Sequence, residues 1–191
     1  MVSKPNHDYD VIVYGATSFV GQILCKYLVQ RHGSDGDLRW AIAGRSASKL
    51  DEVARSCGAD VPQIVADATD RPALDRIAAS TQVVASTVGP YALYGSELVA
   101  AVVEAGGDYC DLTGEVHWMR RMIDTHQTRA EETGARIVHA CGFDSIPSDL
   151  GTWFTQQRAL ERFGEPCVEV RMSVKGAKGG VSGGTAASGM A

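Results

Sequence analysis

Apolar residues recur along this chain in two patterns, continuous runs and helical spacing. Six short runs are continuous and rich in β-branched residues, which is typical of strands buried on both faces of a sheet. They cover residues 10–15, 38–45, 62–67, 82–89, 108–114 and 135–142. Helical spacing of apolar residues covers 19–31, 46–58, 71–80, 95–107 and 117–134. Because parallel neighbours need helical crossovers, this order predicts a doubly wound, Rossmann-like parallel α/β sheet.

The pattern changes after Asp149. Residues 168–176 alternate like one strand of an open sheet, and the last stretch is rich in Gly, Ser and Ala. A lone strand leaves its edge hydrogen bonds and its apolar face unsatisfied. The sequence therefore predicts a Rossmann domain over 8–150 and the beginning of a second, truncated α+β domain over 151–191.

The stretch VIVYGATSFVGQIL, residues 11–24, leads from the first strand into the first helix through a glycine loop. Gly15 and Gly21 fit a G-x-x-G-x-x-G spacing, with Ser18 at the middle position. Such a turn can hold a dinucleotide pyrophosphate at the helix N-terminus, where N–H groups and the helix dipole favour an anion. A positive φ at Ser18 would cost ~1–2 kcal/mol, whereas a capping hydroxyl would contribute ~0.5–2 kcal/mol. An ordinary turn with a capping serine is the alternative.

The residue after the second strand indicates which dinucleotide binds. NAD sites usually carry an acid there for the ribose 2′-hydroxyl, whereas this chain has Arg45. A guanidinium suits a 2′-phosphate, so the sequence predicts NADP(H); a solvated surface arginine is the alternative. Asp67 ends the third strand, where it could reach the adenine or cap the next turn. The predicted cofactor contacts are Gly15, Thr17, Ser18, Phe19, Val20, Gly21, Arg45, Ser46, Lys49, Asp67, Val88, Gly89 and Pro90.

Three later segments, 86–95, 109–115 and 140–151, also fall at carboxyl ends of strands, where open α/β sheets bind ligands. The first would place the nicotinamide beside Val88, Gly89 and Pro90. Hydride transfer would be the cofactor's chemistry, and the protein would supply a proton. Candidate donors are Tyr91, Tyr94, Glu115, Cys141 and Asp144. The alternatives are packing for the tyrosines and, for Glu115, an N-cap or helix-dipole role at the following helix. The histidines are too dispersed to predict a metal site.

These segments resemble a known family. The motifs are GATSFVG (15–21), AGRS (43–46), TVGPYALYG (87–95), YCDLTGE (109–115) and CGFDSIPSDLG (141–151). They are similar to those of the saccharopine dehydrogenase-like oxidoreductases, and nearest to the mycobacterial trans-acting enoyl reductases. That family usually has glycine where this chain has Ser18, which indicates an adapted loop. The resemblance implies NADPH-dependent reduction of a carbon–carbon double bond in a polyketide-derived lipid, in trans to a synthase, with a substrate domain after residue 150.

Composition bears on partners and location. A formal net charge of -5 without a basic block argues against nucleic acid. No apolar run approaches the ~20 residues that span a bilayer. The five cysteines are scattered and no secretory signal precedes them, which favours reduced thiols and a cytoplasmic protein. Peripheral membrane attachment through a missing half and homodimerisation stay open.

Three functions stay open at this point. The first is the cofactor half of an NADPH-dependent reductase that acts on an acyl chain, with a polyketide synthase as partner. The second is a non-catalytic dinucleotide-binding module that senses redox state or scaffolds a partner. The third is a saccharopine-type amino-acid dehydrogenase. We expect no turnover from the chain alone, because a reductase site needs walls that exclude water and hold the substrate.

Overall fold

The structure, a computed structural model, describes residues 7–176 and contains a six-stranded parallel sheet. Its strands are β1 (Tyr9–Tyr14), β2 (Trp40–Gly44), β3 (Gln63–Val65), β4 (Thr81–Ser86), β5 (Asp108–Asp111) and β6 (Arg136–Val138). They lie in the order β3-β2-β1-β4-β5-β6, so the direction of winding reverses between β1 and β4. The predicted doubly wound Rossmann-like sheet is confirmed.

The helices follow the strands in alternation. They are α1 (Phe19–His32), α2 (Ala47–Cys57), α3 (Arg71–Ser80), α4 (Tyr91–Tyr94), α5 (Ser96–Ala105), α6 (Val116–Thr133) and α7 (Ile146–Phe163). Sequence spacing did not predict α4 or α7. A single turn such as α4 is too short to show a period, and α7 contains Pro147 and Gly151, which usually break helical patterns. Helix α7 also passes through residue 150, where the sequence placed a domain boundary.

The predicted strand over 168–176 is wrong, because those residues form no strand in the structure. A strand requires a neighbour for its ladder of hydrogen bonds, and within residues 7–176 no strand lies beside this segment. Instead the chain after α7 turns back onto the helix, where the Gln156 side chain bonds the backbone of Cys167 at both its N–H and its carbonyl. The Gly-rich residues 177–191 lie outside the described part of the chain.

The two faces of the sheet carry separate cores. We call the side under α1 and α2 the first face; its core includes Val13, Ile42 and Leu50. The second face, under α3, α5 and α6, includes Val84 and Tyr109. Neighbouring strand residues point to opposite faces, so both cores draw on the same continuous apolar runs. Among the described helices, none is long and apolar enough to cross a membrane.

Candidate functional site

A cleft of about 290 Å³ opens at the carboxyl ends of β1, β2 and β4. This is the point where the winding reverses, and open α/β sheets bind ligands in that crevice. Residues from four loops line it: Tyr14, Gly15, Thr17, Ser18, Gly44, Arg45, Asp67, Ala68, Thr87, Val88, Gly89 and Tyr94. The fold therefore brings the predicted phosphate loop, the Arg45 turn, Asp67 and the predicted nicotinamide loop to one place.

Two positions of the phosphate loop require glycine, because neighbouring atoms leave no room for a side chain. Gly15 has a φ of 87°, and a Cβ there would lie 2.5 Å from Val88 Cγ2 and 2.9 Å from Thr87 Oγ1. A Cβ on Gly21 would lie 2.3 Å from the carbonyl oxygen of Gly15. Real Cβ contacts are longer than this, so any side chain at either position would push the loop away from β4 or α1.

Ser18 does not need to be glycine. Its φ of -71° and ψ of 164° are extended, and it caps α1, because its Oγ accepts a hydrogen bond from the Gly21 N–H at 2.9 Å. The Ser18 hydroxyl donates to Thr87 Oγ1 at 3.0 Å, and Thr87 Oγ1 donates to the Gly15 carbonyl at 2.8 Å. The loop is thus adapted to serine through Thr87, a residue that the sequence did not single out. Only its place near the carboxyl end of the strand predicted over 82–89 hinted at a role.

The N-terminus of α1 supplies the groups that an anion would meet. Phe19 and Val20 are its first two residues, and N–H groups at these positions have no acceptor inside a helix. The Phe19 side chain is exposed and neither residue lines the cleft with its side chain. Their predicted contacts would therefore come from the backbone.

The loops after β2 and β3 bring opposite charges near each other. Arg45 follows β2, Asp67 follows β3, and both line the cleft. Hydrogen bonds from the N–H and hydroxyl of Thr69, at 2.9 and 2.7 Å, lower the pKa of Asp67, and the charge of Arg45 lowers it further. Asp67 therefore does cap the turn after β3; its predicted contact with adenine stays a prediction. Ser46 and Lys49 lie at the start of α2, outside the residues that line the cleft.

On the other side of the cleft, Val88, Gly89 and Tyr94 are lining residues. Pro90 is buried behind them and follows a cis peptide bond. Of the five candidate proton donors, Tyr94 is the one that lines the cleft, and it is 40% exposed; Cys141 and Asp144 are exposed away from it.

Glu115 and Tyr91 are buried beneath this loop. The Glu115 carboxylate accepts hydrogen bonds from the N–H groups of Tyr91 at 2.8 Å and Ala92 at 2.7 Å, so it caps α4. Glu115 also stands at the expected N-cap position of the following helix, α6, although its side chain makes no cap hydrogen bond there. The Tyr91 hydroxyl donates to the Ser86 carbonyl at 3.1 Å, and burial raises the pKa of Tyr91 well above its usual range. These bonds give both residues a structural position; their catalytic role stays a prediction.

A buried pair fixes the neighbouring strand ends. His139 Nδ1 lies 2.7 Å from Asp111 Oδ2, and Asp111 Oδ1 accepts from the N–H groups of Thr113 and Ala140, each at 3.1 Å. The His139 ring packs edge-on against Trp118, with 4.9 Å between the ring centroids. The sequence did not reveal this pair, because 28 residues separate its members and only the register of β5 and β6 brings them together.

Two other hollows hold none of the predicted site residues. One, of about 140 Å³, lies among Val99, Met122 and His139, and the other lies beside Arg55 and Gly58 at the end of α2. In the described ranges, no group of three or more His, Cys, Asp or Glu side chains could hold a metal ion.

Comparison with known proteins confirms the resemblance read from the motifs. A Mycobacterium tuberculosis protein provisionally named a trans-acting enoyl reductase is 46% identical over 191 residues, covering 98% of this chain and 45% of the relative. Trans-acting enoyl reductases of Mycobacterium leprae and Mycobacterium ulcerans are each 45% identical, covering 87% and 84% of this chain and 40% and 38% of their own lengths. The chain spans less than half the length of these relatives. No family model matches the sequence.

Solved structures share the fold. Saccharopine dehydrogenase (L-Glu forming) from Saccharomyces cerevisiae superposes with a TM-score of 0.66 at 22% identity, covering 82% of this chain and 32% of the yeast chain. A Citrobacter triphenylmethane reductase, solved with NADP(H), gives a TM-score of 0.52 at 13% identity, covering 78% of this chain and 56% of its own. At these identities the likeness establishes the dehydrogenase and reductase fold alone.

Proposed function

We propose, from the homology of this chain to the mycobacterial trans-acting enoyl reductases, that it is the NADPH-binding half of an enoyl reductase. The carrying observation is Arg45, which stands at the carboxyl end of β2 and lines the same cleft as the Gly15–Gly21 loop. A dinucleotide with a 2′-phosphate fits this arrangement, because a guanidinium binds phosphate with charge and fork geometry together. An acid at that position would repel it.

Each part of the cleft has a part of the cofactor to hold. The N–H groups of Phe19 and Val20, with the α1 dipole, suit the pyrophosphate. Arg45, with Ser46 beside it, suits the 2′-phosphate, and Asp67 with Ala68 flanks the adenine. Val88 and Gly89 offer an apolar wall for the nicotinamide. When bound, NADPH supplies the hydride; the protein's task is to orient it and keep water out.

A reduced double bond also needs a proton. Tyr94 is the candidate that lines the cleft, and α4 holds it there. Glu115 fixes α4 from below through the N–H groups of Tyr91 and Ala92. In this proposal Glu115 and Tyr91 position the loop, and the Tyr94 hydroxyl faces the substrate.

The name of the relatives supports a particular substrate class. We propose an unsaturated acyl thioester from a separate polyketide synthase, in the cytoplasm or at a membrane surface. The domain after residue 150 would carry the substrate-binding walls, so the isolated chain would bind NADPH and not turn it over. An assay of the chain with NADPH and an unsaturated acyl thioester tests this: steady turnover would contradict it.

Calorimetric titration with NADPH and with NADH tests the cofactor assignment itself. A charge-assisted contact of ~1.5–3 kcal/mol predicts that NADPH binds about 10- to 150-fold more tightly. Equal affinities, or binding of neither, would overturn the assignment.

A further inference from the structure

The first face of the sheet is covered over only half of its width. One row of paired residues crosses the sheet on that face: Val13 in β1, Ala85 in β4, Cys110 in β5 and Val138 in β6. Val13 is fully buried under α1, whereas Val138 is 53% exposed. The second face is covered farther across: Val84 and Tyr109 are each 1% exposed, and Ile137 in β6 is half-buried.

The helices explain the difference. The crossovers α1 and α2 lie over β1, β2 and β3, and α3, α5 and α6 lie on the second face. Helix α7, which follows β6, leaves the sheet, and its Trp153 and Phe154 are 61% and 56% exposed. Within residues 7–176, no helix therefore covers the first face of β4, β5 and β6.

This open half-face, formed by Val83, Ala85, Cys110 and Val138, has the width of one helix. Three strands about 4.8 Å apart span about 10 Å, which is the diameter of an α-helix with its side chains. Helix α1 forms one wall. One side of α1 carries Val20, Leu24 and Tyr27 at four- and three-residue spacing, none of them fully buried.

The chemistry of the open half-face is apolar with a neutral end. Val83, Ala85 and Cys110 are half-buried, and the ion pair of Asp108 with Arg136 closes the end where β5 and β6 begin. Parallel sheets occur almost only with both faces covered. A helix that presents an apolar stripe, with no charge at the centre of that stripe, would cover the open half-face.

We propose that the open half-face binds an amphipathic helix from the half of the protein that corresponds to the unmatched length of the relatives. This chain covers 45% of the Mycobacterium tuberculosis relative, so a second half of at least equal size is available there. The sheet would then be completed by chain from both halves, which ties the position of the substrate domain to the cofactor domain. The inference rests on the chain's being one half of a longer protein, not on cofactor binding.

Co-expression tests it. The chain carries an affinity tag, and the untagged partner is the part of the Mycobacterium tuberculosis relative that lies outside the match. We expect the two to purify together in equal amounts. Val138→Lys should lower recovery of the partner by about tenfold or more, because an unpaired ammonium would be buried at the contact. Val65→Lys is the matched control: Val65 is 55% exposed on β3, at the opposite edge of the sheet, and should leave recovery unchanged.

Two further measurements separate the explanations. Thermal melting of the Val138→Lys chain should match the wild type, which excludes unfolding as the cause. NADPH titration of the same variant reports the proposed function independently of docking. Equal recovery with Val138→Lys, or no recovery with the wild-type chain, would overturn the proposal. So would sedimentation that shows the isolated chain as a dimer which Val138→Lys dissociates, because the occupant would then be a second copy.

Discussion

The loops that follow the central strands β1 and β4 are tightly packed, whereas α7 is loosely packed. Around β1 and β4, Gly15, Ser18 and Thr87 interlock through hydrogen bonds and close contacts. Along α7, large side chains such as Trp153 stay exposed, and a Cβ on Gly151 would meet nothing within 4 Å. The cleft is thus built by contacts among the described residues, whereas α7 has exposed apolar side chains that those residues do not cover.

Two tryptophans give the largest expected contrast. Trp118 is fully buried, with its Nε1 donating to Ser96 Oγ at 3.0 Å, while Trp153 is 61% exposed. Trp118→Ala should lower the free energy of unfolding by about 3–5 kcal/mol, since it leaves a cavity. Trp153→Ala should change it by less than about 0.5 kcal/mol. Urea denaturation of both variants measures this, and a similar loss in the two would show that α7 is packed after all.

Two helix glycines give the next contrast. Gly21→Ala places a methyl group against the Gly15 carbonyl, and overpacking of this kind costs about 1–3 kcal/mol. Gly151→Ala meets open space and should stabilise the chain by about 0.5–1 kcal/mol, because alanine loses less backbone freedom in a helix. Opposite signs in thermal melting are the expected outcome. Stabilisation by Gly21→Ala would contradict the geometry of the loop.

Much of the sheet, but not α7, could be predicted from the sequence. The strands are short, continuous apolar runs and five of the helices are longer, periodic segments, so local pattern sufficed to predict them. The glycine spacing and Arg45 predicted a cleft at this end of the sheet, because a tight turn requires glycine and a phosphate requires a cation. The cap of Glu115 on α4 and the pair of Asp111 with His139 span 23 to 28 residues, and only the finished sheet shows them. The strand over 168–176 failed because alternation alone does not supply a partner strand.

The serine cap gives a smaller effect. Ser18→Ala removes the bond to the Gly21 N–H and should cost about 1 kcal/mol of stability. Ser46 stands at the corresponding position of α2 but makes no cap bond through its side chain. Ser46→Ala should therefore lower the free energy of unfolding by only about a few tenths of a kcal/mol. Chemical denaturation without cofactor compares the two.

Substitution of Ser18 should also change the affinity for NADPH slightly. Ser18→Gly should change NADPH affinity by no more than about tenfold, the scale of one neutral hydrogen bond. In a Thr87→Val background the effect should shrink, because the partner hydroxyl is already gone. A full loss of NADPH binding in Ser18→Gly would mean that the hydroxyl contacts the cofactor directly and not through Thr87.

The central claim is that Arg45 selects the 2′-phosphate, and the ratio of NADPH to NADH affinity in Arg45→Asp tests it most directly. Arg55→Asp is the control, since it makes the same charge change on an exposed residue of α2 outside the cleft. We predict that Arg45→Asp abolishes the roughly 10- to 150-fold preference for NADPH, while Arg55→Asp preserves it. An unchanged ratio in Arg45→Asp would contradict the account.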